Sequence, residues 1–60
     1  HARSLYFVQD VKKGELLSAK HIRSIRPGFG LAPKFLPDVL GKVALENIER
    51  GTPVSWELIR

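Results

Sequence analysis

The sequence predicts a mixed, mainly β domain with short single-turn helices, assembled from two related half-units. Three observations carry that prediction: a gapless internal repeat, turn chemistry that recurs in register within it, and apolar runs of only a few residues. Residues 8–22 align on residues 45–59. Gly14/Gly51, Ser18/Ser55 and Ile22/Ile59 are identical. Val8/Leu45, Gln9/Glu46, Asp10/Asn47, Val11/Ile48, Lys13/Arg50 and Leu17/Val54 are conservative pairs. Self-similarity of this kind marks a repeated structural unit.

Each copy opens on an extended apolar segment, residues 4–8 or 43–45. A turn follows in which Asp10 or Asn47 can bond its own backbone two residues on, and Gly14 or Gly51 can take a positive φ without steric cost. Residues 15–17 and 52–54 read as short extended stretches. Pro53 fits such a stretch only where no ladder bond needs its missing N–H. Ser18 and Ser55 are placed to N-cap one helical turn each, and Ile22 and Ile59 close the copies with side chains expected in a shared core.

The connecting segment, residues 23–42, is different. Residues 24–26 read as extended, and Pro27-Gly28-Phe29-Gly30 as a loop. Phe35/Val39 and Leu36/Leu40 stand at i,i+4 spacing, with Gly41 a plausible residue just past the helix end. Pro37 would cost a continuous helix a hydrogen bond, so two successive turns are expected, the second starting at Pro37.

Composition narrows the chemistry. With 60 residues the chain is one domain, 1–60, near the size below which a core scarcely supports folding. It has no cysteine, which excludes disulfides and thiolate metal sites. His1 and His21 have no acidic partner at metal-ligand spacing. Ten Lys/Arg against six Asp/Glu give a net charge of +4, which raises nucleic acid as a partner. The cations are scattered, however, and Asp10/Lys12, Glu15/Lys13 and Glu49/Arg50 read as local neutralising pairs. No basic stripe or stacking aromatics appear, so the charge reads as solvated surface, with neither nucleic acid nor membrane as a partner.

Few side chains are candidates for chemistry. Glu46 and Glu49 read as solvated turn residues rather than a catalytic pair. His21 is expected on a short exposed helical turn, without a nucleophile to activate. Trp56 reads as a core or edge-covering residue. Arg26-Pro27-Gly28-Phe29-Gly30 stands apart: a cation, a rigid proline, and glycines that leave backbone free to approach a ligand. The guanidinium fork suits carboxylate, phosphate or carbonyl oxygens, although a Pro-Gly turn beside a solvated arginine fits the same residues.

Asp10-Val-Lys-Lys-Gly-Glu-Leu-Leu-Ser18, Ile25-Arg-Pro-Gly-Phe-Gly-Leu31, Val39-Leu-Gly-Lys42 and Ile48-Glu-Arg-Gly-Thr-Pro-Val54 together resemble the C-terminal antifreeze-like (SAF) domain of bacterial sialic acid synthases. The resemblance runs from about Arg3 to Ile59, and the Phe29-Gly30-Leu31 version is most similar to the branch that makes pseudaminic acid. It implies a β-clip fold and a domain excised from the C-terminus of a longer cytoplasmic synthase. In that family an N-terminal TIM barrel, holding a divalent metal (Mn or Mg), condenses phosphoenolpyruvate with an N-acetylated amino sugar. The C-terminal domain crosses over in a domain-swapped homodimer and covers the partner subunit's active site. The arginine that contacts the acceptor sugar falls on Arg26, with Pro27, Gly28, Phe29 and Gly30 completing the loop and Phe29 at its variable position. No catalytic residue, metal ligand or cofactor is expected within this chain, and the domain alone is expected to be inactive.

Two alternatives share the fold by resemblance: a binding module of an assembly chaperone, and an ice-binding protein. Lys12, Lys13, Glu15, Glu49 and Arg50 in the turns speak against the flat, weakly charged face that ice requires. An assembly chaperone has no evident need for Arg26-Pro27-Gly28.

Overall fold

The computed structural model describes residues 2–60; His1 lies outside the described residues. Strand β1 (Ser4–Phe7) pairs antiparallel with β2 (Ile22–Ile25), in a register running from Ser4↔Ile25 to Phe7↔Ile22. The same geometry recurs in the second copy as isolated bridges, where Ala44 pairs with Ile59 and Val43 and Arg60 exchange backbone bonds of 2.8 and 2.9 Å.

Hydrogen bonds then lace one half-unit to the other. At the centre, Val11 and Ile48 exchange both backbone bonds, at 2.8 and 2.7 Å. Gly51 N–H donates to Phe7 and Phe7 N–H to Thr52, matched by Gly14 donating to Ala44 and Ala44 to Glu15. Val54 donates to Leu5 as Leu17 donates to Lys42. The condition on Pro53 is met: it faces Tyr6, and the flanking bonds are donated by Phe7 and Val54, so its absent N–H leaves nothing unpaired.

Both turn glycines have the positive φ the sequence asked for, +85° at Gly14 and +94° at Gly51. The Asx residues behave otherwise. Instead of folding back on their own turns they reach across: Asp10 Oδ1 accepts from Arg50 N–H at 2.8 Å and Asn47 Oδ1 from Lys13 N–H at 2.9 Å. This reciprocal exchange between equivalent residues locks the two turns together.

Three expectations are corrected. Ser55 sits at the N-cap position of the 3-10 turn Trp56–Leu58, yet its side chain makes no cap bond. The Ser18 hydroxyl instead lies 3.2 Å from His21 Nδ1. The pairs Asp10/Lys12, Glu15/Lys13 and Glu49/Arg50 form no ion pair among the described residues; Glu15 Oε2 instead lies 3.2 Å from His21 Nε2. Backbone N–H groups at fixed positions occupy Asp10 and one oxygen of Glu15; ordering two long exposed side chains to pair them would cost entropy for little gain.

The core is one cluster drawn from both halves and the connector: Leu5, Phe7, Val11, Leu17, Ile22, Val39, Ala44, Ile48, Val54 and Ile59. Ile22 and Ile59 meet in it as expected. The connector supplies the 3-10 turn Pro33–Phe35 and helix α1 (Leu36–Val39). These are the two successive turns foreseen, the second starting one residue earlier, at Leu36. Pro37 then falls in the first turn, where its missing N–H has no intrahelical partner to lose. Gly41, at φ +92°, follows the C-cap Leu40 as the residue past the helix end.

Candidate functional site

The loop singled out by sequence, residues 26–30, leaves the end of β2 and folds across β1. Along β1, Leu5 and Phe7 enter the core while Ser4 and Tyr6 face the other way, onto the loop. Both are buried, at 1% and 7% exposure, and a buried hydroxyl requires a partner. Tyr6 donates its hydroxyl to the Pro27 carbonyl at 2.5 Å. Ser4 Oγ accepts from Gly30 N–H at 2.9 Å and reaches the Pro27 carbonyl at 3.4 Å. The Arg26–Pro27 peptide bond is cis.

Below the loop the chain is tied by backbone. Leu5 N–H donates to Leu31 and Leu31 N–H to Val54, at 2.8 and 2.9 Å. Here Gly30 has a role different from the one expected. A Cβ at this position would collide with the Leu5 carbonyl oxygen and crowd the Val54 backbone, and one at Gly28 would lie 2.8 Å from the Ala2 carbonyl oxygen. The two glycines therefore admit the protein's own backbone, without positive φ; packing of strand against loop requires them.

What the loop presents outward is Arg26 and Phe29. Arg26 is exposed, and no hydrogen bond or ion pair among the described residues engages its guanidinium; the neighbouring Arg3, by contrast, donates to the Ser24 carbonyl. Phe29 is 78% exposed. An unengaged planar fork and an apolar ring thus project from a loop whose own backbone is fixed. An open depression elsewhere on the surface is lined by Glu46, Asn47, Ile48, Glu49, Thr52 and Leu58, none of them in the loop.

The remaining candidates resolve as structure. His21 is corrected from exposed to buried, at 2%. Its Nδ1 accepts from Ser18 N–H at 3.0 Å, which places the ring proton on Nε2, 3.2 Å from Glu15 Oε2. Glu15 also accepts from Lys12 N–H at 3.0 Å. That backbone bond, together with His21, holds its carboxyl below the ordinary carboxylate range against a smaller opposing effect of desolvation. Trp56 is 44% exposed, with its ring edge-to-face on Phe35, the centroids 5.7 Å apart. Glu46 and Glu49 are exposed as expected. Among the described residues no three His, Asp or Glu side chains gather as a ligand set. No helix among them is long and apolar enough to cross a membrane.

Sequence reasoning found the loop but missed Ser4 and Tyr6, which hold it. The available signal was the alternation Ser4-Leu5-Tyr6-Phe7: two hydroxyls on the opposite face of a strand whose other face is fully apolar.

Comparison with known proteins agrees with this architecture. The chain is 54% identical over 50 residues to a pseudaminic acid synthase of Campylobacter jejuni, a match covering 83% of this chain and 15% of that protein. Its structure is similar to that of a spore coat polysaccharide biosynthesis protein from Bacillus subtilis, with a TM-score of 0.86 and 31% identity over 97% of this chain and 17% of the other. The antifreeze protein like domain of human N-acetylneuraminic acid phosphate synthase shares the fold, with a TM-score of 0.85 at 20% identity over 95% of this chain and 73% of the other. The chain thus spans about a sixth of the longer proteins it matches. The SAF domain family matches residues 2–60, and with the two-fold-related turns and the antifreeze-like fold already in place, the chain belongs to the SAF domain family.

Proposed function

We propose that this SAF domain serves a nonulosonic acid synthase of the pseudaminic acid branch as a substrate-covering lid. In this reading it docks over the active site of a TIM-barrel domain, that of the partner subunit in a domain-swapped homodimer, and Arg26 hydrogen-bonds the acceptor sugar. The observation that carries the reading is the contrast within residues 26–30: a backbone held by Tyr6 and Ser4 and an exposed guanidinium that nothing among the described residues engages. The 54% identity to a pseudaminic acid synthase supports the substrate class.

The chemistry fits the geometry. The N-acetyl group of an amino sugar offers a neutral carbonyl oxygen. A charge-assisted bond to such an acceptor, shielded from water once the lid has docked, is worth roughly 1.5–3 kcal/mol. Phe29 would lie at the rim of the covered site and exclude water beside that bond. The barrel would carry out the condensation with phosphoenolpyruvate and hold any divalent metal; this domain's task is binding and orientation.

In the full-length synthase, Arg26→Ala is expected to raise the acceptor-sugar KM about tenfold to a hundredfold, with the KM for phosphoenolpyruvate little changed. Arg26→Lys should recover only part of the loss, since an ammonium lacks the directed fork. Unchanged acceptor KM in both variants would overturn the assignment.

A further inference from the structure

From the geometry beneath the loop we infer that Tyr6 is a positioning residue for the acceptor site, acting through the Pro27 carbonyl on the direction of Arg26. The inference rests on the reading of Arg26 given above and extends it to a side chain that touches no substrate.

Tyr6 lies on β1 opposite Arg23 of β2 and Pro53 of the second half-unit, so its backbone is held from both sides. Its ring is covered, and its hydroxyl ends on the carbonyl of the residue that follows Arg26. Within the loop the same carbonyl accepts from Phe29 N–H at 3.1 Å, and from the strand Ser4 Oγ reaches it at the longer distance of 3.4 Å. Ser4 is better employed at 2.9 Å on Gly30 N–H, at the far end of the loop. The two hydroxyls therefore divide the work: Ser4 fixes where the loop ends, and Tyr6 ties the Pro27–Gly28 peptide, one unit past Arg26, to β1. The backbone bonds of Leu31 and Leu5 lie beyond Gly30 and do not restrain that peptide. Without the Tyr6 hydroxyl the fold keeps its core and strand pairing, but the guanidinium leaves from a looser base. A long side chain magnifies a small rotation at its root, and positioning errors of this size weaken a directed bond.

The test is a double-substitution cycle in the full-length synthase. Tyr6→Phe retains the ring and removes the hydroxyl. It is expected to raise acceptor-sugar KM about three- to tenfold, with the KM for phosphoenolpyruvate unchanged. Added to Arg26→Ala, it should raise acceptor KM no further, because nothing remains to be aimed. Amide exchange on the 60-residue chain supplies the structural readout. In Tyr6→Phe the Phe29 and Gly30 amides should exchange faster while the Val11 and Ile48 amides keep their protection.

An unchanged acceptor KM in Tyr6→Phe, when Arg26→Ala raises it, would overturn the positioning role and leave the arginine reading intact. Additive effects in the double variant would also overturn it, since they would show Tyr6 acting independently of Arg26. No effect of Arg26→Ala alone would instead remove the reading on which the inference stands.

Discussion

In the first half-unit the residue after the turn glycine is Glu15, and it is hydrogen-bonded to a buried histidine. In the second it is Thr52, and the position equivalent to His21 is Leu58, which packs against the core. The backbone around both sites is nevertheless the same: Val8 N–H donates to His21 as Leu45 N–H donates to Leu58, and His21 N–H to Ser18 as Leu58 N–H to Ser55. One scaffold position thus holds a closed polar cluster in one copy and an apolar side chain in the other. Either works because neither leaves a buried polar atom orphaned; among the described residues no buried side-chain nitrogen or oxygen lacks a partner. The half-units are held alike by main-chain bonds and differ in what the side chains make of the same space.

The largest test of that likeness lies in the core. Ile22→Ala and Ile59→Ala remove equivalent side chains, 3% and 5% exposed, from a single cluster. Each should cost about 2–5 kcal/mol in urea unfolding, and the two costs should agree within about 1 kcal/mol. A clear inequality would break the symmetry at its centre.

Gly14→Ala and Gly51→Ala form the next pair. A Cβ at either site meets nothing within 4 Å, so the penalty comes from the left-handed backbone alone. About 1–2 kcal/mol is expected for each, measured the same way. A much larger loss at one site would show that the two turns are not equivalent.

The smallest effect sharpens the difference between the copies. The Glu15 carboxyl is held below its ordinary value near 4.5, first by the Lys12 backbone N–H and then by His21. A carboxylate more acidic in the folded than in the unfolded chain stabilises fully above its unfolded pKa, and that contribution disappears as pH falls through the folded value. The urea midpoint of the parent chain should therefore decline below about pH 4.5. Glu15→Gln should flatten part of that decline, and Thr52, having no titrating group, gives the second turn no such dependence. An identical acid profile in the variant would remove Glu15 from the account.

Much of this was legible before the structure. The repeat, the glycine conformations, the shared isoleucine core and the two connector turns all follow from local chemistry at named residues, because glycine and proline report backbone geometry directly. The loop at residues 26–30 was visible for the same reason. What escaped depends on residues distant in the chain. Asp10 could be read as an Asx turn, but its actual donor, Arg50 N–H, is 40 positions away. His21 looked exposed because it follows the Ser18 cap on a short turn and precedes Ile22; its burial is set by Glu15 and Ser18. Gly30 looked like an opening for a ligand, whereas the space it leaves is filled by Leu5 and Val54. Tyr6 and Ser4 were read as part of an apolar strand, and their hydroxyls acquire a function only when the loop folds over them.

The reciprocal reach of Asp10 and Asn47 has a kinetic consequence. Each turn is completed by an acceptor from the other, across 40 and 34 residues, and the Val11–Ile48 pair is shared equally. A half-unit alone keeps its own strand pairing but holds only half of each of these cross-turn bonds, so neither turn is complete before its twin is in place. Such a topology closes its loops before local contacts reward it, which slows folding relative to a helical domain of similar size. It also makes unfolding all-or-none: to open one turn is to release both.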